Sequence, residues 1–171
     1  MAHVFQLNSA ALKRTFAAYV VIARGRGQAQ LYVGKTGDNR QGCNPLISRC
    51  GNHFSYNPIH SQIRNKIEAH ESCLYTYVFD HFDGYCAHEV RRRFRVEKIN
   101  EIERWINTEI QKAVRDHAHI EIVNPFLGRV RVSDKERRRR KSFRTPDARR
   151  KVDGILKQVR YVLSIRSSGT E

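Results

Sequence analysis

Several things are scarce in this 171-residue chain, and each shortage narrows what it does. Cysteine occurs four times, as Cys43, Cys50, Cys73 and Cys86, with no CxxC pair. Neither a disulfide framework nor a zinc ribbon is spelled out, and free thiols in a reducing compartment are expected. Cys43, Cys50 and His53 make a partial zinc set that lacks a fourth ligand at suitable spacing. The longest apolar run, AAYVVIA, falls far short of the roughly 18 residues of a membrane span. The first residues, MAHVFQLNSAALKRTF, lack the charged-then-apolar order of a signal peptide. A cytoplasmic protein with no membrane contact is the expectation. No internal repeat is visible. Negative charge is the scarcest commodity: 17 Asp and Glu face 32 Lys and Arg, for a net +15. The natural partner of so basic a chain is a polyanion, usually nucleic acid.

What is present suits one domain with an extension. Asn8 or Ser9 caps a short amphipathic helix with Leu12 and Phe16 on one face. Residues 18–23, AYVVIA, read as a strand rich in β-branched residues. RGRGQ is a turn, and residues 30–34 return as the hairpin partner. Residues 34–44 are loop. Pro45 opens a helix with Asn44 as its cap, ending near Gly51. A second short helix is expected over 57–69, with Ile59, Ile63 and Ile67 at helical spacing. CLYTYVFDHF alternates as a third strand. The clearest helix spans about 93–114, with Val96, Ile99, Ile102, Ile106, Ile110 and Val114 as its stripe. HIEIV is a further short extended piece ending at Asn124-Pro125.

From Arg129 to Lys151, 12 Lys or Arg stand against 3 Asp or Glu. This arm suits sequence-independent phosphate contact and the ordering of a disordered segment on binding. Phe143 is its only aromatic residue, too few for a stacking platform. Residues 152–165 form an amphipathic helix docked on the domain. The order β-β-α-α-β-α predicts a small α/β (α+β) fold with a mainly antiparallel three-stranded sheet. Its divisions are a domain over 1–128 and a basic arm and helix over 129–171.

Four groups then fall into an order. AAY (Ala17, Ala18, Tyr19) lies on the first strand and YVGK (Tyr32 to Lys35) on its partner, with twelve residues between the tyrosines. ISRCGNHF carries Arg49 and His53, and IERWI carries Glu103. The pattern resembles the GIY-YIG nuclease family over roughly residues 16–126. It departs from that family in having Ala at the first Gly and Ile, and in a longer segment before Arg49. Arg40 is therefore a rival to Arg49. Arg49 is preferred because a helix fixes a guanidinium better than a loop does. Glu97, Glu101 and Glu109 compete with Glu103, but Glu103 borders the apolar stripe, whereas Glu101 is expected to point away from it.

The resemblance implies a metal-dependent endonuclease that hydrolyses DNA phosphodiesters. In it Tyr19 is general base, Tyr32 and His53 position water or phosphate, and Lys35 holds a tyrosine oxygen or the substrate. Arg49 stabilises transition-state charge, and Glu103 is the one protein ligand of Mg²⁺ or Mn²⁺. A restriction, defence or mobile-element enzyme is implied, with a homodimer as the assembly that cuts both strands. Further nucleic-acid contacts are expected from Arg40, His60, Arg64 and Lys66, and from Arg137, Arg138, Arg139, Arg140 and Lys141 on the arm. The alternative is a non-catalytic DNA- or RNA-binding protein on the same fold.

Overall fold

In the computed structural model the described residues are 4–25, 27–37, 43–57, 59–128 and 132–164. They form an α+β fold built on a four-stranded mixed sheet in the order β3-β1-β2-β4. β1 (Thr15–Gly25) sits in the interior of the sheet. It pairs antiparallel with β2 (Gln28–Lys35) on one side and β3 (Leu74–Gly84) on the other. The run FAAYVVIA suits this position, since a strand covered on both faces needs no polar alternation. Phe16, Ala18, Val20 and Ile22 enter one core, while Tyr19, Val21 and Ala23 enter a second on the opposite face.

The first core is closed by α2 (Glu89–Val114) and α4 (Pro146–Ser164), through Ile99, Ile102, Trp105, Ile106, Val152, Ile155 and Val159. The second is closed by α1 (Leu46–Phe54) and the turns that follow it, through Leu46, Ile63 and Ile67. β4 (Ile120–Ile122) and α3 (Asp134–Ser142) complete the elements among the described residues.

The sheet differs from the expected antiparallel three-stranded one. β4 adds a fourth strand, parallel to Ala29–Leu31. Three residues are too few for a period-2 signal, so HIEIV reveals itself as a sheet member only through its pairing with the open edge of β2. The expected helix over 57–69 does not form. Asn57 instead folds its side-chain oxygen onto the N–H of Ile59 at 2.9 Å, and Ser61 bonds back to the carbonyls of Ser55 and Asn57. These local bonds compete with helix propagation. The spacing of Ile63 and Ile67 is real, and both are buried, but Ile59 is exposed. Pro58 lies outside the described residues.

Other boundaries shift. α1 runs through Gly51 to Phe54, and Pro45, not Asn44, is its cap residue. The N-terminal helix is a single 3-10 turn, Ser9–Leu12, capped by Asn8. Phe16 belongs to β1 and Leu12 is exposed. α2 begins one turn earlier than expected, at Glu89. The described part of the basic arm is helical. Ser133 caps α3 by accepting from the Glu136 N–H, and α4 starts at Pro146 inside the arm.

Candidate functional site

Register places the first tyrosine. Tyr19 on β1 stands opposite Gly34 on β2. A Cβ at Gly34 would lie 2.5 Å from the Tyr19 ring and hydroxyl. The glycine therefore makes room for the ring to lie across β2. Tyr32 and Tyr77 share that face of the sheet, both paired with Val21 across β1.

α1 covers the tyrosines. Arg49 and His53 are four residues apart and so share one helix face. His53 is buried and bridges two strands. Its Nε2 is 3.0 Å from the Tyr19 hydroxyl and its Nδ1 is 3.1 Å from the Tyr77 hydroxyl. Tyr77 is in turn hydrogen-bonded to the Cys50 thiol. The result is a buried row, Tyr19–His53–Tyr77–Cys50, with Tyr32 edge-on to the imidazole at 5.2 Å.

Electrostatics follow from this burial. Removal from water pushes the Tyr19 hydroxyl well above the usual tyrosine range, and the Tyr32 hydroxyl beside it adds to the effect. The Arg49 guanidinium pulls the other way. Burial first, and Arg49 second, lower His53 to about 4. His53 is thus a neutral imidazole at physiological pH. A neutral imidazole donates through one ring nitrogen and accepts through the other, so it gives a hydrogen to one of these two tyrosine hydroxyls and takes one from the other.

Lys35 and Glu103 complete the site from the other face of the sheet. Lys35 Nζ meets Glu103 Oε2 at 2.8 Å, with both side chains partly exposed. Lys35 is therefore fastened to the carboxylate of α2. One cleft of about 150 Å³ is lined by Tyr19, Tyr32, Lys35, Arg49, Asn52, His53, His60, Gln62 and Glu103. Six residues singled out as catalytic, and His60 among the nucleic-acid candidates, thus meet at one place. Asn52 and Gln62 join them.

The remaining candidates lie apart from this cleft or beside it. Lys66 holds its ammonium 5.9 Å from the Tyr32 ring, and Arg64 stacks on Tyr56 at 4.1 Å. Arg137, Arg138, Arg139, Arg140 and Lys141 are on α3. Arg40 lies outside the described residues.

Among the rival carboxylates, Glu101, expected to point away from the apolar stripe, is not on a solvated face. It is buried between Arg104 at 2.6 Å and Arg144 at 2.7 Å. Two guanidiniums make that burial tolerable. Glu97 pairs with Arg139 and Glu109 with Lys112. Among the described residues Glu103 is the one carboxylate lining the cleft.

The family resemblance implies a divalent metal here, and the donor set decides which kind of site fits. Among the described residues no group of three or more His, Cys, Asp or Glu converges. Both His53 nitrogens face tyrosine hydroxyls. A single carboxylate in an open polar cleft fits a hydrated hard cation, which keeps several waters and takes the rest of its ligands from substrate oxygens.

Three supporting residues carried no usable sequence signal. Asn124 accepts from the Val33 N–H at 3.0 Å and donates to the Val33 carbonyl at 2.7 Å, continuing the β4 edge beyond its last residue. Asn107 ties the same turn to α2 through the Asn124 carbonyl and the Phe126 N–H. Tyr77 was legible only as one member of an alternating strand. No family model, curated protein or solved structure matches the chain. Among the described residues no helix is long and apolar enough to cross a membrane.

Proposed function

We propose that the protein is a metal-dependent endonuclease of the GIY-YIG type that hydrolyses DNA phosphodiester bonds. The observation that carries this reading is the meeting of Tyr19, Tyr32, Arg49, His53, Lys35 and Glu103 around one cleft. They come from β1, β2, α1 and α2, up to 84 residues apart in sequence. A phosphodiester is anionic, and attack adds charge to its oxygens. Arg49, planar and forked, stabilises that charge from a rigid helix. Glu103 would hold Mg²⁺ or Mn²⁺, which when bound supplies charge neutralisation at the leaving oxygen.

The proton path belongs to this chain's own residues. A buried tyrosine whose hydroxyl resists ionisation is a poor base alone. Here its hydroxyl lies 3.0 Å from a neutral imidazole, and in the tautomer protonated on Nδ1 its proton points at Nε2. As water gives a proton to the Tyr19 oxygen, the Tyr19 proton passes to His53 Nε2. Tyr19 is then never a free phenolate, and the positive charge forms on His53. Lys35, bound to Glu103, steadies the carboxylate. The reading extends to a homodimer with one cleft per strand, in the cytoplasm, as a restriction, defence or mobile-element enzyme.

The test is conversion of supercoiled plasmid to nicked and linear forms in Mg²⁺ or Mn²⁺, against EDTA. Metal-dependent cutting that disappears in Glu103→Ala and Arg49→Ala supports the enzyme. Tight binding without cutting in any divalent metal overturns it in favour of a binding protein on the same fold.

A further inference from the structure

Two arginine clusters, about forty residues apart in sequence, meet on one side of the molecule. α2 opens with EVRRRFRVEK, carrying Arg91, Arg92, Arg93, Arg95 and Lys98. α3 is DKERRRRKS, carrying Lys135, Arg137, Arg138, Arg139, Arg140 and Lys141. Two contacts bring the helices together. Arg139 pairs with Glu97, and the Phe94 and Phe143 rings meet edge-on with centroids 5.2 Å apart. Phe143 is buried and anchors the end of α3.

Many of these cations already have partners. Arg93 pairs with Glu89, Lys98 with Asp83, Arg137 with Asp134, and Arg140 with Glu136. Six do not: Arg91, Arg92, Arg95, Lys135, Arg138 and Lys141 have no carboxylate partner among the described residues, and Arg95 donates instead to the Gly84 carbonyl. Four of the six are exposed, and Arg92 and Arg95 are half-buried. Two packed helices therefore present a ridge of unneutralised charge on a rigid frame. Such a field attracts a polyanion and is relieved by one.

We propose that this α2–α3 ridge is a second nucleic-acid surface, outside the cleft, that grips the phosphate backbone of a duplex. It rests on the nucleic-acid part of the function proposed above. Duplex backbone is favoured over single strands because the ridge offers no stacking platform. Phe94 is its exposed ring, and Phe143 already engages it. A lipid surface is disfavoured because α3 has no apolar residue to insert. Position suits the role. Arg92 precedes Glu103 by eleven residues on α2, about three turns, so the two share a face about 16 Å apart. At about 3.4 Å per base pair, the ridge meets a bound duplex about five base pairs from the cleft.

The experiment measures anisotropy of a fluorescein-labelled duplex bound to the full chain in EDTA, across a series of NaCl concentrations. One variant carries Arg91→Ala and Arg92→Ala, a second Arg138→Ala and Lys141→Ala, and a third all four. Each pair should reduce the slope of log K against log salt by about 1.8, and all four by about twice that. Lysine at the three arginine positions should restore the slope, since a backbone contact needs charge and not a fork. Circular dichroism melts check that each variant is folded. An unchanged slope in either pair overturns the proposal for that helix. So does a loss confined to anionic phospholipid vesicles with duplex binding intact. A reduced slope on a plasmid that is never cut upholds the ridge and sinks the nuclease. Cutting with an unmoved slope does the reverse.

Discussion

The Tyr19 hydroxyl lies 3.0 Å from His53 Nε2, and neither ring is open to solvent. This contact joins the sheet to α1, and burial, with Arg49 behind it, keeps the imidazole neutral. It also has a cost that pH exposes. In the unfolded chain His53 titrates near the ordinary value of 6.5, whereas in the fold it titrates near 4. Above pH 6.5 both states are neutral there and the residue adds no pH dependence. Between 6.5 and 4 the unfolded chain takes the proton and the fold does not, so stability falls with pH. Below 4 the loss is complete, at about 3 kcal/mol. Urea melts at pH 7.5 and pH 4.5 on the wild type and His53→Gln check this. The wild type should lose more stability between the two pH values than the variant. Equal losses would mean that His53 is not held neutral.

Gly34 answers to the same ring. A methyl at this position would sit 2.5 Å from Tyr19 Cζ and hydroxyl oxygen. The ring is packed beneath α1 and has little room to retreat. Gly34→Ala should destabilise by about 1–3 kcal/mol, in the range of overpacked cores. It should also displace the hydroxyl from His53, so cleavage should fall further than folding does at a temperature where the variant is fully folded. A thermal melt beside a plasmid assay separates the two effects. A variant as stable and active as the wild type would show that the ring has another place to go.

How far the sequence announced this arrangement depends on the length over which each residue signals. β1, β2, β3 and α2 were legible because their apolar patterns run for many residues. Tyr19, Tyr32, Arg49, His53 and Glu103 were legible as an ordered set, although no pair of them is informative alone. β4 was not read as a sheet strand, since its three residues join the sheet through pairing at the edge of β2. The 57–69 segment carries helical spacing that Asn57 and Ser61 defeat with local hydrogen bonds. The burial of Glu101 was not legible, because the geometry of α2 alone omits the segment between α3 and α4. What buries its carboxylate is Arg144, which lies 43 residues later.

Glu101 sits 2.6 Å from Arg104 and 2.7 Å from Arg144, and the Arg144 guanidinium also lies over the Trp105 ring. The carboxylate therefore binds α2 to the junction between α3 and α4. Glu101→Gln keeps the shape and removes the charge, leaving two guanidiniums facing a neutral amide. Removing one partner of a fully buried pair costs about 3–5 kcal/mol. Both arginines here retain some contact with water, so about 2 kcal/mol is expected. The melting temperature should drop, while the dependence of cleavage on metal concentration should stay unchanged because Glu101 does not line the cleft. A shift in the half-saturating metal concentration would show that Glu101 contributes to the metal site after all.

The last distinction is between two arginines. Arg49 lines the cleft and lowers both Tyr19 and His53 from a helix fastened to the sheet. Arg40 belongs to the segment between β2 and α1. If Arg49 carries transition-state charge, Arg49→Ala should lower the single-turnover cleavage rate by about 10²–10³, the loss seen when one preorganised donor is removed. Arg49→Lys should recover only part of it, since an ammonium restores the charge but not the planar fork. Arg40→Ala should change affinity and its salt dependence while leaving the saturated rate within a few-fold, as a backbone contact does. Rates measured at saturating protein keep binding and chemistry apart. The opposite pattern, with Arg40→Ala losing the saturated rate and Arg49→Ala keeping it, would move the catalytic arginine to position 40. Arg49 would then be left as the cation that adds to burial in holding His53 neutral.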